Sequence, residues 1–311
     1  MNTLLLVLGA VLCTFLWGGA FPGIKIGYNL LSIGAGDTFQ QILFAGYRFT
    51  LAGILAWIIG CILNRRLLIP HRGAWHKVFI LSMAQTAVQY FFFYIGLAHT
   101  TGVRSSIIEG SAAFFSLLIA SLGFHQEKLT ARKIIGVVIG FAGVVLIETG
   151  GNGLDWKFNL LGDGMILIAT LCSAFSSVFL KRFTRDEEPF TMSSWQFFIG
   201  GLMLTAAGAI GTRTAGGRMN IFSIAQENGT MGKAVLVLLI LAGISAVAYS
   251  VWGVLLKHNP VSKVTVYNCL IPIFGALLSM WLLHENASQP LWVILTSLAL
   301  VASGTLLVQK S

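Results

Sequence analysis

The chain has 311 residues, of which 56% are hydrophobic and only 10% charged, and its mean hydropathy is +0.83. A soluble domain carries about 25% charged residues, so a water-covered globule is excluded and the bilayer is the expected solvent. The formal net charge of +9 lies in short basic clusters between apolar runs, which orient a membrane protein; no nucleic-acid partner is expected.

Ten apolar runs approach the roughly 20 residues that cross a ~30 Å hydrocarbon core as a helix. They are 4–31, 38–63, 76–97, 103–124, 132–149, 162–181, 190–211, 233–256, 263–284 and 289–308. The first lacks a basic leader and continues past Trp17, so it reads as a retained span rather than a signal peptide. It contains "WGGAFPGIK" (17–25). There the glycines allow close helix approach, Pro22 predicts a kink with a gating role, Trp17 is a candidate cavity wall, and Lys25 anchors at the surface. The second run carries Arg48 near its middle. It pairs with Glu109 or with helix carbonyls; a structural role is favoured over one in coupling or gating.

The third run holds Gln85, Gln89, Tyr90 and Tyr94. The two amides are four apart and share a face, as helix glue or as the lining of a wet cavity. Glu109, in the outer part of the fourth run, is the sharpest candidate: a carboxyl at that depth is costly unless paired, protonated or wet. It is read as a proton site or a partner for a substrate amine, with an ion pair to Arg48 or Arg104 as the alternative. Gly136 and Gly140 pack the fifth helix. Ser173 in the sixth is the repeat equivalent of Trp17 (see below). Tyr249 and Trp252 share a face of the eighth. In the ninth, Tyr267 and Asn268 precede Pro272, which frees a carbonyl and marks a kink or hinge. The longest connection, 212–232, is expected to include a short interfacial segment around 221–225.

With the N-terminus inside, 13 of the 20 basic residues fall in inside segments and six outside, while Arg48 lies within a span. Both termini are therefore expected in the cytoplasm, in a multi-pass protein of the cell membrane. The two halves also resemble each other. "GFHQEKLT" (123–130) matches "WLLHENAS" (281–288), aligning Glu127 with Glu285, and "FPGIK" (21–25) matches "SVFLK" (177–181). Five spans per unit is an odd number, so the second unit enters the membrane upside down, a known build of secondary carriers. The expected fold is all-α and polytopic, ten transmembrane helices as two inverted five-helix repeats, at 1–150 and 156–311.

Other chemistry is weakly signalled. The four cysteines are scattered through apolar runs and read as small buried hydrophobes. His284-Glu285 has no second histidine four residues on, and the glycines of 150–153 and 162–164 lack the strand–helix context of a nucleotide site. No cofactor or metal is expected, and the protein is not expected to be an enzyme.

Several short motifs carry a family resemblance: W-G-x-x-x-P-x-x-K closing the first helix, Arg48-Phe49 in the second, Pro272 followed by Glu285 in the ninth, and "LLGDGMILIATLCSAFSSVFLKR" (160–182). Together with ten spans in two halves, the chain resembles the EamA-like branch of the drug/metabolite transporter superfamily. The resemblance implies a 5+5 inverted-repeat carrier whose cavity is lined chiefly by helices 1, 3, 4, 6, 8 and 9. It implies export of amino acids or related small metabolites by alternating access. A proton-coupled uptake or efflux carrier for organic cations or drugs is the alternative, and an intramembrane enzyme a remote one. The partners implied are a small-molecule substrate, the lipid bilayer and coupling protons, with a monomer as the working state. One position departs: Phe114 stands where the family's fourth helix has the proline matching Pro272, so no cavity shape is carried over for that helix.

Overall fold

A computed structural model of the chain describes residues 2–34, 36–100, 102–149, 159–217, 219–283 and 290–311. Among these residues every regular element is helical. The long segments are α1 (Thr3–Leu31), α2 (Thr38–Asn64), α3 (75–99), α4 (102–123), α5 (Ala131–Thr149), α6 (Leu160–Phe183), α7 (Pro189–Thr214), α8 (Met231–His258), α9 (Val261–Leu283) and α10 (Leu291–Gln309). Among the described residues eight helices are long and apolar enough to cross a membrane; α4 contributes a shorter apolar stretch, Ile107–Gly123. With large apolar side chains such as Leu4, Leu8, Leu12, Ile54, Ile58 and Ile62 facing outward, this is a multi-pass membrane protein. Helix is the form that satisfies every backbone N–H and C=O without water. The interfacial segment expected at 221–225 is one helical turn, Ser223–Glu227. The glycine motif at 150–153 and the stretch around His284, Glu285 and Asn286 lie outside the described residues.

Local chemistry sets several helix ends. The Asn2 side chain accepts from Leu4 N–H at 3.1 Å to start α1, and Asn159 accepts from Leu161 N–H at 3.0 Å to start α6. Glu188 accepts from Thr191 N–H at 2.9 Å, just before Pro189 opens α7. Left-handed Ser32 and Arg65 end α1 and α2. Within α1 the helix runs without interruption through Pro22 to Leu31. Pro22 thus does not end the helix: one missing N–H is tolerable where neighbouring helices hold the rest of the backbone in place.

Small residues let the helices meet backbone to backbone. A Cβ at Gly46 would lie 2.4 Å from Thr205 N, and one at Gly201 would lie 2.3 Å from Thr50 N. Gly53 faces Phe198 and Gly208 faces Leu43 in the same way. As the number rises along α2 its partner's number falls along α7, so the two helices pack antiparallel. The pair α5–α10 repeats the pattern: Gly136 meets Gly304 and Gly143 meets Ser297. Thus the second helix of each half packs on its counterpart, as does the fifth, which an upside-down second half requires. The expected packing role of Gly136 and Gly140 is seen directly, since a Cβ on Gly304 would lie 2.6 Å from Gly140 N.

Candidate functional site

A cavity of about 160 Å³ lies in the middle of the bundle. It is lined by α1, α2, α3, α4, α6, α8 and α9. Three of these helices depart from regular α-geometry beside it. In α3 a π-helical turn, Ser82–Ala87, includes Gln85. In α4 the helix is interrupted at Ser111, between Gly102–Gly110 and Ala112–Leu118. In α9 a tight 3₁₀ stretch, Val266–Leu270, joins Val261–Thr265 to Ile271–Leu283. Irregular backbone at membrane depth is tolerated only where it is buried in protein or lines a cavity, and single π turns recur at functional sites.

The wall has an aromatic side. Trp17 meets Tyr249 at 4.8 Å and Trp252 at 4.9 Å between ring centroids, both edge-on. The Tyr90 and Tyr249 hydroxyls are 2.9 Å apart, sharing a hydrogen bond. Gly18 makes this corner possible: a Cβ there would sit 2.6 Å from Phe274 Cβ and 2.8 Å from Gly275 N, so α1 rests on α9 with no space for a side chain. The glycine of "WGGAFPGIK" therefore carries Trp17 to the wall.

The other side is polar. Gln85, Gln89, Glu109, Ser173 and Asn268 line the cavity with Arg48. Gln85 is 3% and Gln89 9% exposed, and the side-chain oxygens of both, like that of Asn268, have no hydrogen-bond partner among the described residues. Buried polar atoms are nearly always paired, by protein or ordered water, so these oxygens mark a wet or ligand-filled space. Glu109 is half-buried. Among the described residues Arg48 makes neither of the pairings the sequence suggests, with Glu109 or with a helix carbonyl. Its Nε and Nη2 donate to Ser245 Oγ at 3.2 and 2.8 Å, and its Cζ lies 4.9 Å from the Phe49 ring centroid. The Arg104 side chain, the other expected partner of Glu109, lies outside the described residues.

Of the residues singled out from sequence, Trp17, Arg48, Gln85, Gln89, Tyr90, Glu109, Ser173, Tyr249, Trp252, Asn268 and Pro272 meet at this one cavity. Two do not. Pro22 is buried inside α1 and lies between the wall residues Phe21 and Ile24 in the chain without itself lining the cavity. Tyr267 is 4% exposed within the main hydrophobic core. A 3₁₀ turn sets neighbours about 120° apart, so Asn268 reaches the cavity only by turning Tyr267 away. Tyr94, noted with Tyr90 in the third run, also lines the wall, as do Phe21, Ile24, Phe93 and Ser177, which the sequence did not single out. Helical spacing would have found most of these four: Phe21 lies four residues after Trp17, Phe93 after Gln89, Ser177 after Ser173.

Beyond the cavity, the end of the bundle that holds both termini is cross-linked. Glu127, just past α4, accepts from Ser262 N–H at 2.9 Å, from Ser262 Oγ at 2.5 Å and from Lys133 Nζ at 2.6 Å. Its carboxylate thus caps the N-terminus of α9, where the helix dipole favours an anion. Lys181 donates to the carbonyls of Leu256 (3.1 Å) and Asn259 at the end of α8, and Gln126 donates to Val178 O of α6 at 3.2 Å.

A helical bundle of antiparallel counterpart pairs around one central cavity, broken helices at its wall and lipid-facing apolar sides, is the architecture of a membrane carrier. Comparison with known proteins makes the assignment specific. The chain belongs to the EamA-like transporter family, whose model matches it twice, over residues 4–149 and 160–308. It is 29% identical to an "Uncharacterized transporter" of Archaeoglobus fulgidus over 88% of each chain. It is 26% identical to the "Uncharacterized inner membrane transporter YedA" of Escherichia coli, covering 97% of this chain and 92% of that one. It is also 26% identical to the "Uncharacterized transporter YvbV" of Bacillus subtilis, covering 94% and 90%. A solved crystal structure superposes with a TM-score of 0.73 over 97% of this chain and 96% of its own at 15% identity, a likeness of fold alone.

Proposed function

We propose that this transporter is a secondary carrier that exports amino acids or related small metabolites by alternating access, with both termini in the cytoplasm. One observation carries the reading: a mid-bundle cavity whose described wall holds a guanidinium, Arg48, a carboxylate, Glu109, three amides and an aromatic side. A zwitterion with an apolar body presents matching groups. The cavity, at about 160 Å³, is smaller than the roughly 300–1,000 Å³ of sites for drug-sized ligands, which favours small metabolites. The alternative, a carrier for organic cations, draws support from Trp17, Tyr249 and Trp252 beside Glu109, since aromatic faces attract cations.

In this reading the Glu127 cross-link is the cytoplasmic gate in its closed form, and Glu109 binds either the substrate ammonium or a coupling proton. Flux into and out of proteoliposomes, over amino acids, nucleobases and quaternary amines under imposed ion gradients, tests it. Export-direction movement of amino acids is the expected result. Movement of quaternary amines alone selects the cation carrier, and no movement of any solute under any gradient removes both.

A further inference from the structure

We propose that Arg48 is the anchor for the substrate's carboxylate, so that the carrier accepts only solutes bearing one. This deepens the carrier reading and rests on it.

Arg48 sits in the middle of α2, is 3% exposed and lines the cavity. A guanidinium stays charged at any pH a cell reaches. Removed from water, it needs an opposite charge or a full set of acceptors; an uncompensated buried ion is strongly unfavourable. Among the described residues no carboxylate lies within 4.0 Å of it. It carries five N–H donors, and among the described residues two of them, Nε and Nη2, donate to one oxygen, Ser245 Oγ. The face of Phe49 covers one side of the group.

The neutral groups around it lack the missing charge. The hydroxyls of Tyr90 and Tyr249 share a hydrogen bond at 2.9 Å and carry no charge. Gln85 and Gln89 present oxygens without partners among the described residues, more than nine-tenths buried, at the same cavity. Arg48 is therefore fixed in orientation by Ser245 and shares its cavity with amides that can hydrogen-bond a polar ligand and with the carboxylate of Glu109, which lies outside ion-pair distance of it. A planar carboxylate fits a guanidinium fork through two parallel bonds. The cavity volume, about 160 Å³, limits the rest of the solute to a small body against the aromatic side.

The test is calorimetric titration of the detergent-purified full chain with L-leucine, L-phenylalanine and L-threonine, each beside its carboxamide and its decarboxylated amine. The acids are expected to bind about ten- to hundredfold more tightly than their amides, the weight of a charged hydrogen bond. Arg48→Gln, verified as monodisperse, is expected to abolish that preference. Arg48→Lys, which keeps the charge without the fork, is expected to retain part of it. Equal affinity for acid and amide overturns the proposal, as does failure of all three acids to bind, or an unchanged preference in folded Arg48→Gln. Should that variant not fold, the acid-to-amide ratio of the unaltered protein still decides. Proteoliposome flux judges the carrier reading separately: a protein that moves amides or amines as fast as acids remains a carrier while Arg48 loses this role.

Discussion

α4 and α9 hold corresponding places in the two halves, and both are broken beside the cavity, yet by different means. α9 uses a 3₁₀ stretch followed by Pro272. α4 has no proline there; it is interrupted at Ser111, directly after Gly110, whose missing side chain admits Val144 of α5, 2.8 Å from where a Cβ would sit. The chemistry delivered also differs. α4 brings the carboxylate of Glu109, whereas α9 brings the amide of Asn268. The difference separates two demands. In the proposed carrier, opening and closing at alternate ends would ask only that both halves bend in corresponding places, and here unlike sequences interrupt corresponding helices. Binding a polar, asymmetric solute asks for unlike groups on the two sides, which duplication then divergence supplies.

Four experiments would break or sharpen this comparison. The largest effect is expected from Glu127→Ala, which parts the end of α4 from the start of α9. Removing one member of a buried pair costs about 3–5 kcal/mol, and Glu127 and Lys133 are 5% and 7% exposed at their side chains. Labelling of a cysteine placed at Ser177 by a maleimide added from the termini side should accelerate in that variant; an unchanged rate means the cross-link is no gate. Next is Glu109→Gln, which makes α4 as neutral as α9. Loss of a charged hydrogen bond predicts a fall in flux of about ten- to hundredfold, together with loss of pH dependence; unchanged transport with unchanged pH response removes Glu109 from the mechanism.

A smaller effect is expected when α4 receives the device of α9. A proline inside an unbroken helix costs about 3 kcal/mol. Position 114 is in the first turn after the break at Ser111, where a proline gives up one hydrogen bond, Phe114 N–H to Ser111 O at 3.0 Å, worth about 1 kcal/mol. Phe114→Pro should therefore cost, beyond Phe114→Ala, only about 1 kcal/mol in thermal stability, while Leu117→Pro should show the full penalty; equal penalties would mean α4 behaves as one continuous helix. The smallest is Gln89→Leu. It removes an oxygen without a described partner, so stability should hold or rise, whereas substrate affinity should fall about three- to tenfold, the value of a neutral hydrogen bond. A loss of stability with intact affinity would recast Gln89 as helix glue.

Much of the fold was legible in the chain itself. Runs of about 20 apolar residues admit few alternatives to membrane helices, and an odd number of spans per repeat forces the second half upside down. The antiparallel meetings of Gly46 with Thr205 and Gly136 with Gly304 follow from that parity. The candidate site was legible in part, because polar side chains in apolar runs are costly and so conspicuous: Arg48, Gln85, Gln89 and Glu109 stood out on that ground. Phe21, Ile24 and Phe93 did not stand out by residue type, since an aromatic or aliphatic residue in a membrane helix looks the same whether it faces lipid, core or cavity; for Phe21 and Phe93 only the spacing of four from Trp17 and Gln89 marks the face.

What the sequence by itself determined, then, is the solvent, the number and order of the helices, and the short list of groups too expensive to be idle. Hydrophobic length and the parity of the spans decide these without reference to any contact. What only the tertiary structure decided is who faces whom. Arg48 rests on Ser245, 197 residues away, and not on Glu109. Tyr267 is turned into the core by the same tight 3₁₀ stretch that delivers Asn268. Pro22 lies within a continuous helix held by its neighbours. Each depends on the rotation of one helix against another, which is set by packing between distant segments and leaves no mark at the local spacing of the chain.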